Sequence, residues 1–144
     1  GIVPSIRKNK FNEEFFDNVN NEVKAYFLGI IYADGYVCYK EGATKHIGSI
    51  ILGLKSSDED ILIKLSKAIG SESSIQERAG REGVIYGRKI KSSSVKVLRL
   101  HSVYMARQLN KLGCGNNKTH NLTFPQWLPD NLIEHFVRGY FDGD

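Results

Sequence analysis

The sequence predicts an α+β domain in which helices alternate with antiparallel strands. Three observations carry that reading: apolar residues recur at helical spacing in several segments, aliphatic and β-branched runs lie between them, and Asn, Ser, Asp, Gly and Pro mark the junctions. At 144 residues, with 41% hydrophobic and 25% charged residues, the chain suffices for one domain with a sizeable core and is neither disordered nor fibrous in composition.

Residues 1–20 form a lead-in with a basic stretch (Arg7, Lys8, Lys10) and an aromatic cluster (Phe11, Phe15, Phe16). From Asn21 onward Val23, Tyr26, Phe27, Ile30 and Ile31 fall on helical spacing, with Asn20 or Asn21 as N-cap and Gly35 expected as a left-handed stop. Tyr36 to Lys40 and His46 to Leu54 read as a hairpin across a polar loop. Asp58 is placed to cap a second helix through Ile69, apolar at Ile61, Leu62, Leu65 and Ile69 and stopped by Gly70. Strands are expected near Ser74 to Arg78, Val84 to Lys91 and Val95 to Leu100, the last two joined by a Ser92-Ser93 turn. Ser102 caps a third helix, Val103 to Leu112, ended by Gly113. After a loop and two prolines, Asp130 or Asn131 starts a last helix.

Composition narrows the function classes. The longest apolar stretch, Ala25 to Ala33, is far below the ~20 residues of a membrane span, and no secretory signal pattern opens the chain, so a cytoplasmic location is the default. Cys38 and Cys114 have no CxxC spacing, which argues against a zinc knuckle or disulfide framework. His46, His101, His120 and His135 show no metal-ligand spacing, and no nucleophile elbow, phosphate loop or HExxH pattern is present. The net charge is only +4, but Arg78 to Arg99 holds seven basic residues against Glu82 alone, a local +6.

The informative feature is a repeat at a separation of 110 residues: Phe27-Leu28-Gly29-Ile30-Ile31-Tyr32-Ala33-Asp34-Gly35 against Val137-Arg138-Gly139-Tyr140-Phe141-Asp142-Gly143-Asp144. Gly29 and Ala33, and likewise Gly139 and Gly143, sit four apart on one helical face, where small residues let another helix approach closely. Each copy ends on a carboxylate, Asp34 or Asp144, at a helix C-terminus where an anion is disfavoured by roughly 0.3–1 kcal/mol. A bound cation resolves that conflict. If the helices pack through their small residues, both carboxylates and the main-chain carbonyls of Ala33 and Gly143 converge, a set of hard oxygen ligands suited to Mg2+ or another divalent cation.

Both segments resemble the LAGLIDADG motif of homing endonucleases, and the stretch between them resembles that family's αββαββα domain in element order and length. The resemblance runs from about Asn21 to Asp144. It implies a domain over 21–128, a second motif helix over 129–144, and a second αββαββα unit beyond this chain or in another chain. It further implies site-specific cleavage of double-stranded DNA by metal-dependent phosphodiester hydrolysis, serving intron or intein mobility. The metal would be held by Asp34 and Asp144, with a curved antiparallel sheet gripping the DNA. Lys118, in Gly113-Cys114-Gly115-Asn116-Asn117-Lys118-Thr119, fits the family's active-site lysine. The first acidic motif position is Tyr32 in one copy and Asp142 in the other, read as a helix-end packing position.

On that resemblance, Ile50, Leu52 and Leu54 should face the core while Ser49, Ile51, Gly53 and Lys55 face DNA. Lys40, Arg78, Arg88, Lys89, Lys91 and Arg99 are the strand cations able to reach phosphates or guanine edges. The implied location is cytoplasmic and nucleoid-associated, or organellar. A second reading keeps the fold without the chemistry: a catalytically inactive DNA- or RNA-binding regulator or splicing maturase.

Overall fold

The computed structural model describes residues 11–71, 75–78, 82–85, 88–91, 94–114 and 124–143, with the backbone alone over 82–85 and 88–91. The expected α+β class is what it shows. Helix α1 spans Glu22–Asp34, strands β1 Gly35–Glu41 and β2 His46–Lys55, helix α2 Glu59–Ala68 and strand β3 Gln76–Arg78. Strands β4 Glu82–Ile85, β5 Arg88–Lys91 and β6 Val95–His101 then precede helices α3 Val103–Lys111 and α4 Asp130–Gly143. No described helix is long and apolar enough to cross a membrane.

Local chemistry explains most boundaries. The Asn21 side chain accepts from Lys24 N at 2.9 Å and opens α1, and Ser102 Oγ accepts from Met105 N at 3.0 Å and opens α3. Gly70 (φ 69°) and Gly113 (φ 109°) take the positive φ that a side chain resists, and each follows the end of a helix. Gly35 does not: its φ of −82° and ψ of 149° are extended, so α1 passes straight into β1. Glycine is needed there for a different reason, because a Cβ would stand 2.8 Å from the Ile31 carbonyl oxygen.

Asp58 also departs from expectation. It closes a 3-10 turn over Ser56–Asp58 and makes no side-chain cap, since its φ of −103° and ψ of 17° lack the extended backbone that turns a capping carboxylate back onto the helix.

The main sheet is antiparallel with order β1-β2-β6-β3, and β4 and β5 form a separate two-stranded ribbon. The stretch expected as one strand from Val84 to Lys91 therefore divides into two strands that pair with each other, and β6 pairs with β2 and β3 instead of β5. The cause is side-chain content. Pairing β2 with β6 sets Ile50 opposite Leu100 and Leu52 opposite Leu98, all buried, whereas Arg88-Lys89-Ile90-Lys91 has a single apolar residue and nothing to add to such a layer.

Helix α1 lies against the sheet and α4 crosses α1. Buried Leu28, Ile30 and Ile31 of α1 join Ile50, Leu52 and Leu98 of the sheet, Leu62 and Leu65 of α2, and Met105 and Leu109 of α3 in one core. Helices α1, α2 and α3 share one face of the sheet with the buried strand residues.

Candidate functional site

The two repeats meet in a reciprocal crossing. A methyl group on Gly29 would collide with the Phe136 carbonyl oxygen and lie 2.8 Å from Tyr140 N; one on Gly139 would collide with the Tyr26 carbonyl oxygen and lie 3.2 Å from Ile30 N. Each partner in one set is the other's counterpart at the offset of 110, so the helices are related by a local two-fold axis through the glycines. Toward the C-terminal ends, a Cβ on Gly143 would lie 3.2 Å from the Ala33 Cβ. The structure thus brings Gly29, Ala33, Gly139 and Gly143 together at one interface.

This closeness gives a stability prediction. An alanine normally favours a helix over glycine by roughly 1 kcal/mol, but overpacking against fixed backbone costs about 1–3 kcal/mol and has no flexible atom to absorb it. Gly139→Ala should therefore lower the thermal midpoint by several degrees, whereas Gly53→Ala, whose new methyl would meet Val95 Cγ1 at an ordinary 3.4 Å, should leave it nearly unchanged. Equal midpoints for the two variants would contradict the crossing.

Asp34 is exposed at the end of α1, beside half-buried Ala33 and buried Gly143. Asp144 and Lys118, the other two candidate catalytic residues, lie outside the described residues. Among the described residues no group of three or more His, Cys, Asp and Glu side chains gathers as a metal cluster. Asp34 follows directly on the Ala33–Gly143 contact between the two helices.

The first acidic motif position behaves differently in the two copies. Tyr32 is buried, packs edge-on against Phe136 with ring centroids 5.0 Å apart, and donates its hydroxyl to the Leu112 carbonyl. Asp142 is exposed and accepts from the Tyr26 hydroxyl at 2.6 Å, while Arg138 stacks its guanidinium 4.8 Å from the Tyr26 ring centre. Burial, and then the bond to Asp142, push the Tyr26 phenol well above its ordinary pKa; burial does the same for Tyr32. Asp142 is therefore a hydrogen-bonded residue and not only a packing one. The signal was available in the repeat, where Tyr26 aligns with Phe136 and Tyr32 with Asp142. A groove of about 640 Å³ opens beside this bond between α1, α2 and α4, with Val23, Phe27 and Ile61 among its apolar lining and Lys64, Lys67 and Arg138 among its polar lining.

The sheet's other face forms the second part of the candidate site. Register places Tyr36, Cys38 and Lys40 of β1 beside Ile51, Ser49 and Ile47 of β2, and then Arg99 and His101 of β6 beside Ile51 and Ser49. Lys55 and Arg78 both flank Val95. Ser49 Oγ lies 3.4 Å from His101 Nδ1, and exposed Lys40, Lys55 and Arg78 surround this patch. Arg99 sits on a central strand, with its Nε shielded from solvent and without a hydrogen-bond partner.

Neither carboxylate of these four strands is on that face. Glu41 turns to the helix side and pairs with Arg107 of α3; the Tyr39 hydroxyl and the Arg107 guanidinium together hold its carboxyl below the usual range. Glu77 likewise turns to the helix side with Lys96, which also binds Glu59 at 2.9 Å. The side chains of Arg88, Lys89 and Lys91 lie outside the described residues.

Over 78 residues, 54% of its length, the chain is 33% identical to the homothallic switching endonuclease of Saccharomyces cerevisiae. The match spans 13% of that protein, so the chain corresponds to a small part of the relative it resembles. No family model matches the chain. The likeness is distant and partial, and it points toward nucleases of that kind.

Proposed function

We propose that this chain is a DNA-binding domain and part of the catalytic centre of a metal-dependent, site-specific double-stranded DNA endonuclease of the LAGLIDADG homing type. The observation that carries the reading is the reciprocal glycine crossing of the two motif helices, whose sequence repeats each reach an acid, Asp34 and Asp144. The acid-free sheet face and the partial match to an endonuclease support it.

In this reading Lys40, Lys55, Arg78 and the β5 cations Arg88, Lys89 and Lys91 neutralise phosphates. Ser49, Ile51 and Arg99 face base edges. The unpartnered Arg99 Nε gains an acceptor from a phosphate or a guanine, which a solvated protein face does not require. Asp34 and Asp144 hold Mg2+ or a similar ion together with the Ala33 and Gly143 carbonyls. When bound, the ion supplies Lewis acidity toward water and the scissile phosphate. Lys118 would supply an ammonium to stabilise the charge that develops on phosphorus. A second αββαββα unit, in the same longer protein or in another chain, completes the grip on a two-fold site.

Selection from a random duplex library, followed by incubation with Mg2+ or with EDTA, tests the proposal. The 144-residue chain should retain duplexes in a salt-sensitive manner and cut them poorly. Joined to a second such unit, it should cut the selected site only with the divalent ion. Absence of duplex retention at any salt concentration would refute the assignment; retention with no cleavage by the joined form would favour an inactive binding module.

A further inference from the structure

Resting on the reading of Asp34 and Asp144 as a metal-holding pair, we propose that Tyr26 is a positioning residue. Its phenol fixes the last turn of α4 through Asp142, as Tyr32 fixes the last turn of α1 through the Leu112 carbonyl. Tyr32 and Asp142 occupy the same motif position, and each stands two residues ahead of its copy's terminal acid. Each is tied down by one phenolic O–H: Tyr32 donates its own, and Asp142 receives that of Tyr26.

The need for a tie follows from where these residues sit. An α-helix has unpaired carbonyls and partial negative charge at its C-terminus, so Asp142 there is destabilised unless a donor reaches it. Tyr26 is well placed to supply one. It projects from α1 across the crossing, beside the point where its own carbonyl meets Gly139, and Arg138 holds its ring from the opposite helix. The counterpart of this pair, Phe136 with Tyr32, is a ring-on-ring contact lacking the carboxylate. The two ends are therefore secured by different chemistry.

The test is Mn2+ binding to the folded chain, followed by loss of the free-ion electron paramagnetic resonance signal, with the thermal midpoint measured on the same samples. Asp34→Asn should abolish binding and so place the ion. Tyr26→Phe should weaken Mn2+ affinity about tenfold, the scale of losing a group that orients a metal ligand. Asp142→Asn keeps an oxygen acceptor for the phenol and should stay within about twofold of the parent, whereas Asp142→Ala should match Tyr26→Phe. The double variant Tyr26→Phe/Asp142→Ala should be no worse than either single one, because both remove the same bond. Should Tyr26→Phe fail to fold, the Asn and Ala variants of Asp142 decide the matter from the other end. A lowered midpoint with unchanged Mn2+ affinity would overturn the positioning role while leaving the metal pair intact. No Mn2+ binding by the parent chain would overturn both.

Discussion

Asp34→Asn is expected to reduce Mg2+-dependent cleavage by the enzyme joined to its second unit on the order of 10³-fold or more. The substitution is nearly isosteric but removes the charge that would hold the ion in the proposed centre, and enzymatic hydrolysis typically rests on at least ~10⁶-fold acceleration. Duplex affinity measured in EDTA should hold or rise slightly, because a carboxylate near a phosphate is repulsive when no cation intervenes. Cleavage at the parental rate would remove Asp34 from the centre. A parallel collapse of affinity would instead mark it as a residue of the DNA grip or of the fold. Asp34 is exposed at the helix end and outside the core, so the variant should fold normally.

The second large effect concerns salt. Each phosphate contact contributes about −0.9 to the slope of log affinity against log salt concentration. Replacing Arg88, Lys89 and Lys91 together by Ala should flatten that slope by up to ~3, so that a fourfold salt increase costs up to about 40-fold less affinity than it does for the parent. The informative control lies in the same basic stretch. Lys96 is turned to the helix side and paired with Glu59 and Glu77, so Lys96→Ala should leave the slope unchanged even though it too removes a positive charge. Equal effects per charge removed at Lys96 and at the β5 cations would mean that net charge, and not the position of the cations, governs affinity.

That contrast shows where the sequence was readable and where it was not. Features decided within a few residues were legible: the Asn21 and Ser102 caps, the stops at Gly70 and Gly113, and the alternation that buries Ile50, Leu52 and Leu54. Asp58 misled because a 3-10 turn changes the backbone angles a cap requires, and Gly35 because close approach to Ile31 demands the same residue as a left-handed bend. Strand partners were not legible. Val95 to Leu100 is a plausible strand in isolation, but whether it joins β5 or β2 depends on Leu98 and Leu100 finding Leu52 and Ile50, more than forty positions away. The same holds for the site. The repeat marked Gly29, Ala33, Gly139 and Gly143 in advance, whereas the Tyr26–Asp142 bond depends on which side of the crossing each residue emerges. The inward turn of Lys96 depended on register alone.

The alternation in β1, β2 and β6, broken only where outward-facing Val97 is also buried, has an evolutionary consequence. Every second side chain, such as Val37, Ile50, Leu52, Leu98 and Leu100, serves the fold, while its neighbours Tyr36, Lys40, Ser49, Ile51 and Arg99 point away from it. Substitutions among the second group leave the packing of the first untouched. A lineage carrying this sheet can therefore drift across surface chemistries one residue at a time without passing through unfolded ancestors. A laboratory library randomised at those five outward positions should consist mostly of folded members.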